Sequence, residues 1–198
     1  MKENEKIILQ FKIKLLGTKV WRTIQVPATY NFYEFHIAIN DAMGWFDYHI
    51  HEFYVSKDNQ KGVRIGKLDS EEPNVLSNLE ISISDYFQKL GQKGYYIYDF
   101  GANWEHEISL VGMLLKEGRK KLPKCIDGKY ACPPEDSGGI DMFKYLLGII
   151  EDPKHEEYDF YIDWLKNHYI TNYYPYKYSK FNPKTVVFDD PKERLVNN

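Results

Sequence analysis

The sequence predicts an α+β fold: an antiparallel β-sheet, one helix after the first hairpin, and two C-terminal helices packed on the sheet. Three observations carry this. Several short runs alternate apolar and polar residues, the period-2 pattern of half-buried strands. Consecutive runs of this kind are joined by short polar turns, which pairs them as hairpins. Three other segments switch to helical spacing: 31–43 early in the chain and two more after residue 139.

Taken in order, residues 7–16 begin apolar and then alternate, with Phe11, Ile13 and Leu15 against Lys12 and Lys14. Gly17-Thr18 turns the chain, Val20–Val26 alternates again, and Pro27 ends the hairpin. In 31–43, Phe32, Phe35, Ile39 and Met43 form one apolar stripe. Asn31 and Glu34 fit a capping box, and Gly44 is a natural stop. Strands are expected at 49–55 and 62–66, joined through Lys57–Lys61, with a loop at Asp69–Asn74. Ser84 could cap a short helix at 85–90. Strands at 95–100 and 104–111 flank the turn Gly101-Ala102-Asn103. Residues 116–139 are rich in Lys, Gly and Pro, show no periodicity, and read as a long ordered loop or linker. Two helices follow. Met142, Tyr145, Leu146 and Ile149 share a face of the first; Tyr158, Tyr161, Ile162, Leu165 and Tyr169 share a face of the second. From Tyr173 the chain should wrap the surface. Those two helices are too few to build a core of their own, so one domain over 1–198 is expected.

Composition narrows the function classes. Net charge is −3 and the sequence pI is about 6.1, so no global basic field drives phosphate binding. The charged N-terminus lacks an apolar signal core, and no apolar run approaches the ~18 residues of a membrane span. A cytoplasmic location follows, and Cys125 and Cys132 are expected as thiols rather than a disulfide. The 17 Tyr, 11 Phe and 4 Trp imply a core whose polar ring atoms need partners, as at a half-wet groove or interface.

Three segments carry a resemblance. They are Gly44-Trp45 with Tyr48-His49-Ile50-His51-Glu52-Phe53; Tyr98-Asp99-Phe100-Gly101-Ala102-Asn103-Trp104-Glu105-His106-Glu107-Ile108; and Cys125, Gly128, Ala131-Cys132-Pro133-Pro134-Glu135-Asp136 with Gly138-Gly139. In order and spacing they resemble the plasmid pRiA4b ORF-3-like family over nearly the whole chain, with Trp164 and Phe181–Phe188 as weaker matches. Two positions depart from the family's pattern. Ala102-Asn103 stand where an acidic residue is common, and Ser137 stands where a Cys is common, which removes one potential thiolate ligand. The resemblance implies a link to plasmids and mobile elements but no established activity. The resolvase-like label of some members does not transfer. That chemistry needs a serine among clustered arginines, and Arg22, Arg64, Arg119 and Arg194 are dispersed.

Four groups of residues could carry chemistry. His49 and His51, two apart on one expected strand, share a face, and His106 sits with Trp104 and Ile108 on another; converging imidazoles could bind metal or act as bases. Otherwise each is hydrogen-bonded within an aromatic core. Asp99 could pair with His106 and fix its tautomer, or hold the Gly101–Asn103 turn. Glu135 and Asp136 follow the stiff Pro133-Pro134; they could overhang a groove or cap the next helix. Cys125 and Cys132 are too far apart in sequence for a zinc knuckle but could join His106 in a mixed metal site. Lys116, Arg119, Lys120, Lys121 and Lys124 form a local phosphate-contacting run or a solvated loop.

Two functional expectations follow. One is a binding or interaction module, with Trp45, His49, Trp104, Lys120 and Lys121 as contact residues. Its partner could be nucleic acid or a second copy of the chain. The other is a metal-assisted or acid–base enzyme on a small polar substrate, using His51, Asp99, His106, Glu135 and Asp136, with a divalent metal as its possible cofactor.

Overall fold

The computed structural model describes residues 6–57, 61–67, 74–118 and 121–197. Eight strands form one sheet: β1 (Ile7–Leu15), β2 (Trp21–Pro27), β3 (His51–Val55), β4 (Val63–Gly66), β5 (Val75–Ser77), β6 (Lys93–Tyr98), β7 (Trp104–Leu115) and β8 (Lys124–Lys129). Their order across the sheet is β5-β4-β3-β6-β7-β1-β2-β8. Every pairing is antiparallel except β4 with β5. Four helices accompany it: α1 (Phe32–Met43), α2 (Gly139–Glu151), α3 (Tyr158–Lys166) and α4 (Pro191–Asn197).

The α+β expectation holds, as do the first hairpin and the helix after it. Asn31 caps α1 with the full capping box, and Gly44 closes it in the left-handed conformation. The helix is more deeply placed than its apolar stripe suggests, since all of its residues except Glu34 and Asp41 are buried. One side packs on the sheet, where Phe35 meets Phe11 at 4.6 Å and Phe53 at 5.8 Å between ring centres. The C-terminal segment covers another side. Arg194 Nη2 pairs with Asp41 at 2.8 Å, and the Asp189 N–H donates to the same carboxylate. α2 inserts Phe143 and Leu146 into the buried cluster, and α3 packs against α2.

Four details differ from the sequence reading. β8 lies inside the 116–139 segment, where Gly and Lys hide any alternation; its pairing with β2 makes it a strand. β5, after the expected 69–74 loop, is three residues long and too short to show a period. The helix expected at 85–90 is a single tight turn, Ile83–Asp85, capped by Ser82 rather than Ser84. A further helix, α4, closes the chain on α1. The turn at 58–60 and most of the 69–74 loop lie outside the described residues.

Arg22 ties the far edge together. Its guanidinium is buried and donates to the carbonyls of Ala42, Trp21, Lys129 and Tyr130, with Phe181 stacked on it at 3.5 Å. One residue thus joins β2, the end of β8 and the end of α1, at a site where carbonyl dipoles replace a carboxylate partner.

Candidate functional site

Three connecting segments meet beyond one end of β3 and β6: residues 44–50 after α1, the β6–β7 turn, and the 131–138 loop before α2. Each carries an aspartate at positive φ: Asp47 (64°), Asp99 (56°) and Asp136 (59°). Short polar side chains tolerate this left-handed backbone better than other non-glycine residues. Gly139 lets the third segment approach the second. A Cβ there would lie 2.6 Å from the Ala102 carbonyl oxygen, and its φ is +83°.

His49, Asp99 and Asp136 converge. His49 Nε2 lies 2.8 Å from Asp136 Oδ1 and 3.7 Å from Asp99 Oδ2. Asp99 spends its other oxygen on the turn, accepting from the N–H groups of Gly101 (3.0 Å) and Ala102 (3.1 Å). The other Asp136 oxygen accepts the Tyr169 phenol, which pushes that phenol up to about 12. Each carboxylate is therefore braced from behind and keeps one oxygen toward the imidazole.

Glu135 lies beneath, 1% exposed. Its Oε2 accepts the Phe46 N–H at 2.8 Å, and its Oε1 accepts the Tyr98 hydroxyl. Burial raises its pKa above the usual carboxylate range; the Tyr98 and Phe46 hydrogen bonds pull the other way. Burial and this same carboxylate hold Tyr98 neutral, and its oxygen accepts the Tyr48 N–H at 3.0 Å. Trp45 stacks on Tyr98 at 5.1 Å and donates its indole N–H to Pro133 O at 3.0 Å.

A second cluster lies deeper. His36 Nε2 is 2.6 Å from Asp47 Oδ1, and His36 Nδ1 is 2.8 Å from the Tyr96 hydroxyl. The His51 ring lies face to face with His36 at 3.4 Å and 9°, and its Nε2 meets the Asn78 amide at 3.1 Å. Burial lowers both histidine pKa values, that of His51 well below the usual value, so both rings are held neutral. Imidazole lone pairs lie in the ring plane, so two parallel rings aim them side by side rather than at one point. The stack therefore does not form a good chelate.

The expected residues divide accordingly. Asp99, Asp136 and Glu135 meet, and the histidine among them is His49, not His51 or His106. The reason is a boundary: β3 begins at His51, so His49 lies in the preceding loop and the two do not share a strand face. His106 is fully buried, donates from Nδ1 to Tyr96 O (3.3 Å), and is pushed down to about 4 by burial. It does not pair with Asp99, whose histidine neighbour is His49. Glu135 and Asp136 do not cap α2, whose N-cap Gly138 has no side-chain bond. Trp45 and Trp104 are buried as a floor under the site. Cys125 and Cys132 are buried free thiols raised to about 11 by burial, and among the described residues neither joins a group of potential ligands. Lys120 and Arg119 lie outside the described residues. Lys121 lines a separate depression with Lys124, Glu34 and Asp190.

The sequence reading missed Tyr98, Tyr169, His36 and Asp47. A histidine inside an otherwise apolar helix was a usable signal for His36. Tyr169 carried a misleading one: its helical phase placed it on α3, which stops at Lys166.

The comparisons agree with this architecture. A family model described as plasmid pRiA4b ORF-3-like protein matches residues 7–185. The chain is 30% identical over 147 residues to "Uncharacterized protein y4hQ" of Sinorhizobium fredii (strain NBRC 101917 / NGR234), covering 73% of each. The crystal structure of MM3350 from Methanosarcina mazei Go1, titled a protein of unknown function, is similar with a TM-score of 0.82. It is 32% identical, and the match covers 92% of this chain and 99% of that one. No described helix is long and apolar enough to cross a membrane. By its sequence and its fold, the chain belongs to the plasmid pRiA4b ORF-3-like family.

Proposed function

We propose that this protein is a binding module that holds a divalent cation between His49, Asp99 and Asp136 and uses the cation's open positions to take a polar ligand. The observation that carries it is the convergence of one imidazole nitrogen and two carboxylate oxygens within 4.8 Å of one another, on a partly exposed face. Bonds of about 2.1 Å hold neighbouring ligand atoms roughly 3–3.5 Å apart, and the 2.8 and 3.7 Å separations bracket that span. Charge points the same way. Asp99, Asp136 and Glu135 outnumber the single imidazole, and among the described residues no Lys or Arg pairs with them. One nitrogen and two oxygens suit Zn²⁺ or Mn²⁺. We read the chain as one domain, because His49 and Asp99 before the 116–139 segment, Asp136 within it and Tyr169 after it build this site together.

Calorimetric titration of untagged protein with Mn²⁺ and Zn²⁺ tests the reading. Binding is expected in the native chain and is lost in His49→Ala. Absence of heat, or binding unchanged by that substitution, overturns it.

The acid–base enzyme is the second reading, favoured by Glu135. A buried carboxyl with a raised pKa, bonded to Tyr98 below the cation position, is placed to exchange a proton with a bound ligand. Its signature is a pH-dependent turnover that Glu135→Gln removes while cation affinity stays. Association with nucleic acid or mobile elements has only the family resemblance behind it; a gel-shift series that shows no binding even at low salt removes it.

A further inference from the structure

A cleft of about 700 Å³ opens where the end of α1 meets Ala131-Cys132 and the C-terminal stretch 180–189. Small-molecule sites span roughly 300–1,000 Å³. None of His49, Asp99 and Asp136 lines this cleft. Two guanidinium groups do, and each keeps a poorly paired nitrogen. Arg22 is 1% exposed, and among the described residues no carboxylate pairs with it. Its Nε and Nη1 donate to main-chain carbonyls, but Nη2 has only Cys132 Sγ, at 3.6 Å. A thiol is a weak acceptor, and burial keeps this one neutral. On Arg194, Nε and Nη2 are taken by Asp189 and Asp41, while Nη1 is buried with no hydrogen-bond partner among the described residues. The two groups are anchored to adjacent residues of α1. Arg22 Nε donates to the Ala42 carbonyl, and Arg194 Nη2 to the Asp41 carboxylate.

Buried guanidinium N–H groups without good acceptors are costly, and an anion that accepts from them offsets that cost. The charge of the lining sets how large the anion's charge is. Arg22, Lys180 and Arg194 stand against Asp41 and Asp189, which leaves one net positive charge in a chain whose net charge is −3. A planar carboxylate balances that charge and matches a guanidinium edge, whereas a doubly charged phosphate exceeds it. Met43, Val186 and Val187 supply apolar wall beside these groups. We infer that the cleft binds a small monocarboxylate with an apolar body, its oxygens accepting from Arg22 Nη2 and Arg194 Nη1 and its body lying along Met43, Val186 and Val187. This site is independent of the cation reading above.

The test is calorimetric titration of the full-length protein with octanoate below its micellar concentration, and with octanol, acetate and inorganic phosphate. Octanoate should bind at least about tenfold tighter than octanol, which lacks the charge, and than acetate, which lacks the apolar body. Val187 is 76% exposed, so Val187→Asp should unfold at the native temperature. Its new carboxylate on the cleft wall should weaken octanoate by at least about tenfold. The side-chain N–H resonances of Arg22 and Arg194 should shift with octanoate and stay in place with octanol. His49→Ala should leave octanoate affinity unchanged. Octanol or phosphate that binds as tightly as octanoate, no saturable octanoate binding, or a Val187→Asp variant that binds octanoate normally overturns the inference and leaves the cation reading standing. Loss of octanoate binding in His49→Ala also overturns it, because the carboxylate would then sit on the cation.

Discussion

The two histidine–carboxylate clusters differ in one decisive respect. His36, Asp47 and His51 have the residue types of a metal site, yet their rings are parallel, His36 is fully buried, and both are already hydrogen-bonded, to Tyr96, Asp47 and Asn78. His49, Asp99 and Asp136 are a similar set, but each stands on a separate loop and turns an atom toward a common point at the surface. Donor type and proximity are shared by both. Ring orientation and access to water separate a cross-brace from a candidate ligand site.

The sharpest way to break this contrast is to remove one histidine from each cluster. His49→Ala should lower Mn²⁺ affinity by more than about hundredfold, beyond the usual cost of losing only a supporting residue. It should leave unfolding free energy within about 0.5 kcal/mol, as for most surface changes. His36→Ala should do the reverse. It should cost about 3 kcal/mol in denaturant unfolding, because it leaves a cavity and strips partners from Tyr96 and Asp47. Equal effects of the two on cation affinity would dissolve the distinction.

Gly139→Ala sits between them. With φ at +83° and a backbone oxygen 2.6 Å from the new Cβ, it should destabilise by about 2 kcal/mol. By pushing the 131–138 loop off the β6–β7 turn, it should also weaken Mn²⁺ binding. Acid should act on the deeper cluster with a defined sign. A histidine whose folded pKa is depressed binds its proton more readily when unfolded, so its contribution is present above about pH 6.5 and is lost as pH falls below that. His51, lowered well below the usual value by burial and by His36, should contribute to this limb together with His106, whose pKa falls to about 4. A His51→Phe variant should flatten the loss of stability between pH 6 and 4, read by urea unfolding at each pH. The smallest effect is expected from Asp99→Asn. The amide still accepts the Gly101 and Ala102 N–H groups and tolerates φ of 56°, so stability should hold while cation affinity falls about tenfold.

Legibility in the sequence followed the range of the interaction. Asn31, Glu34 and Gly44 act within four residues of their partners, and the helix they bound was readable as a motif. The Asp99 turn was readable for the same reason. Glu135 and Asp136 were legible as residues of interest, because Pro133-Pro134 and Gly138-Gly139 mark a stiff loop that must have a purpose. Their partners were not legible. His49 reaches Asp136 across 87 residues, and Tyr98 reaches Glu135 across 37. The error that mattered was small. Extending β3 by two residues put His49 on the same face as His51, and a two-residue slip at a strand end exchanges loop geometry for sheet alternation.

By itself the sequence determined the α+β class, the first hairpin, α1 with both of its caps, and the family. These depend on local backbone preference and on periods of apolar residues, which are written into neighbouring positions. Only the tertiary structure decided which histidine stands beside Asp99 and Asp136, that β8 joins the sheet, and that His51 stacks on His36 rather than facing a ligand. Those outcomes depend on where distant segments meet and how their rings turn there, quantities set by packing the whole chain at once.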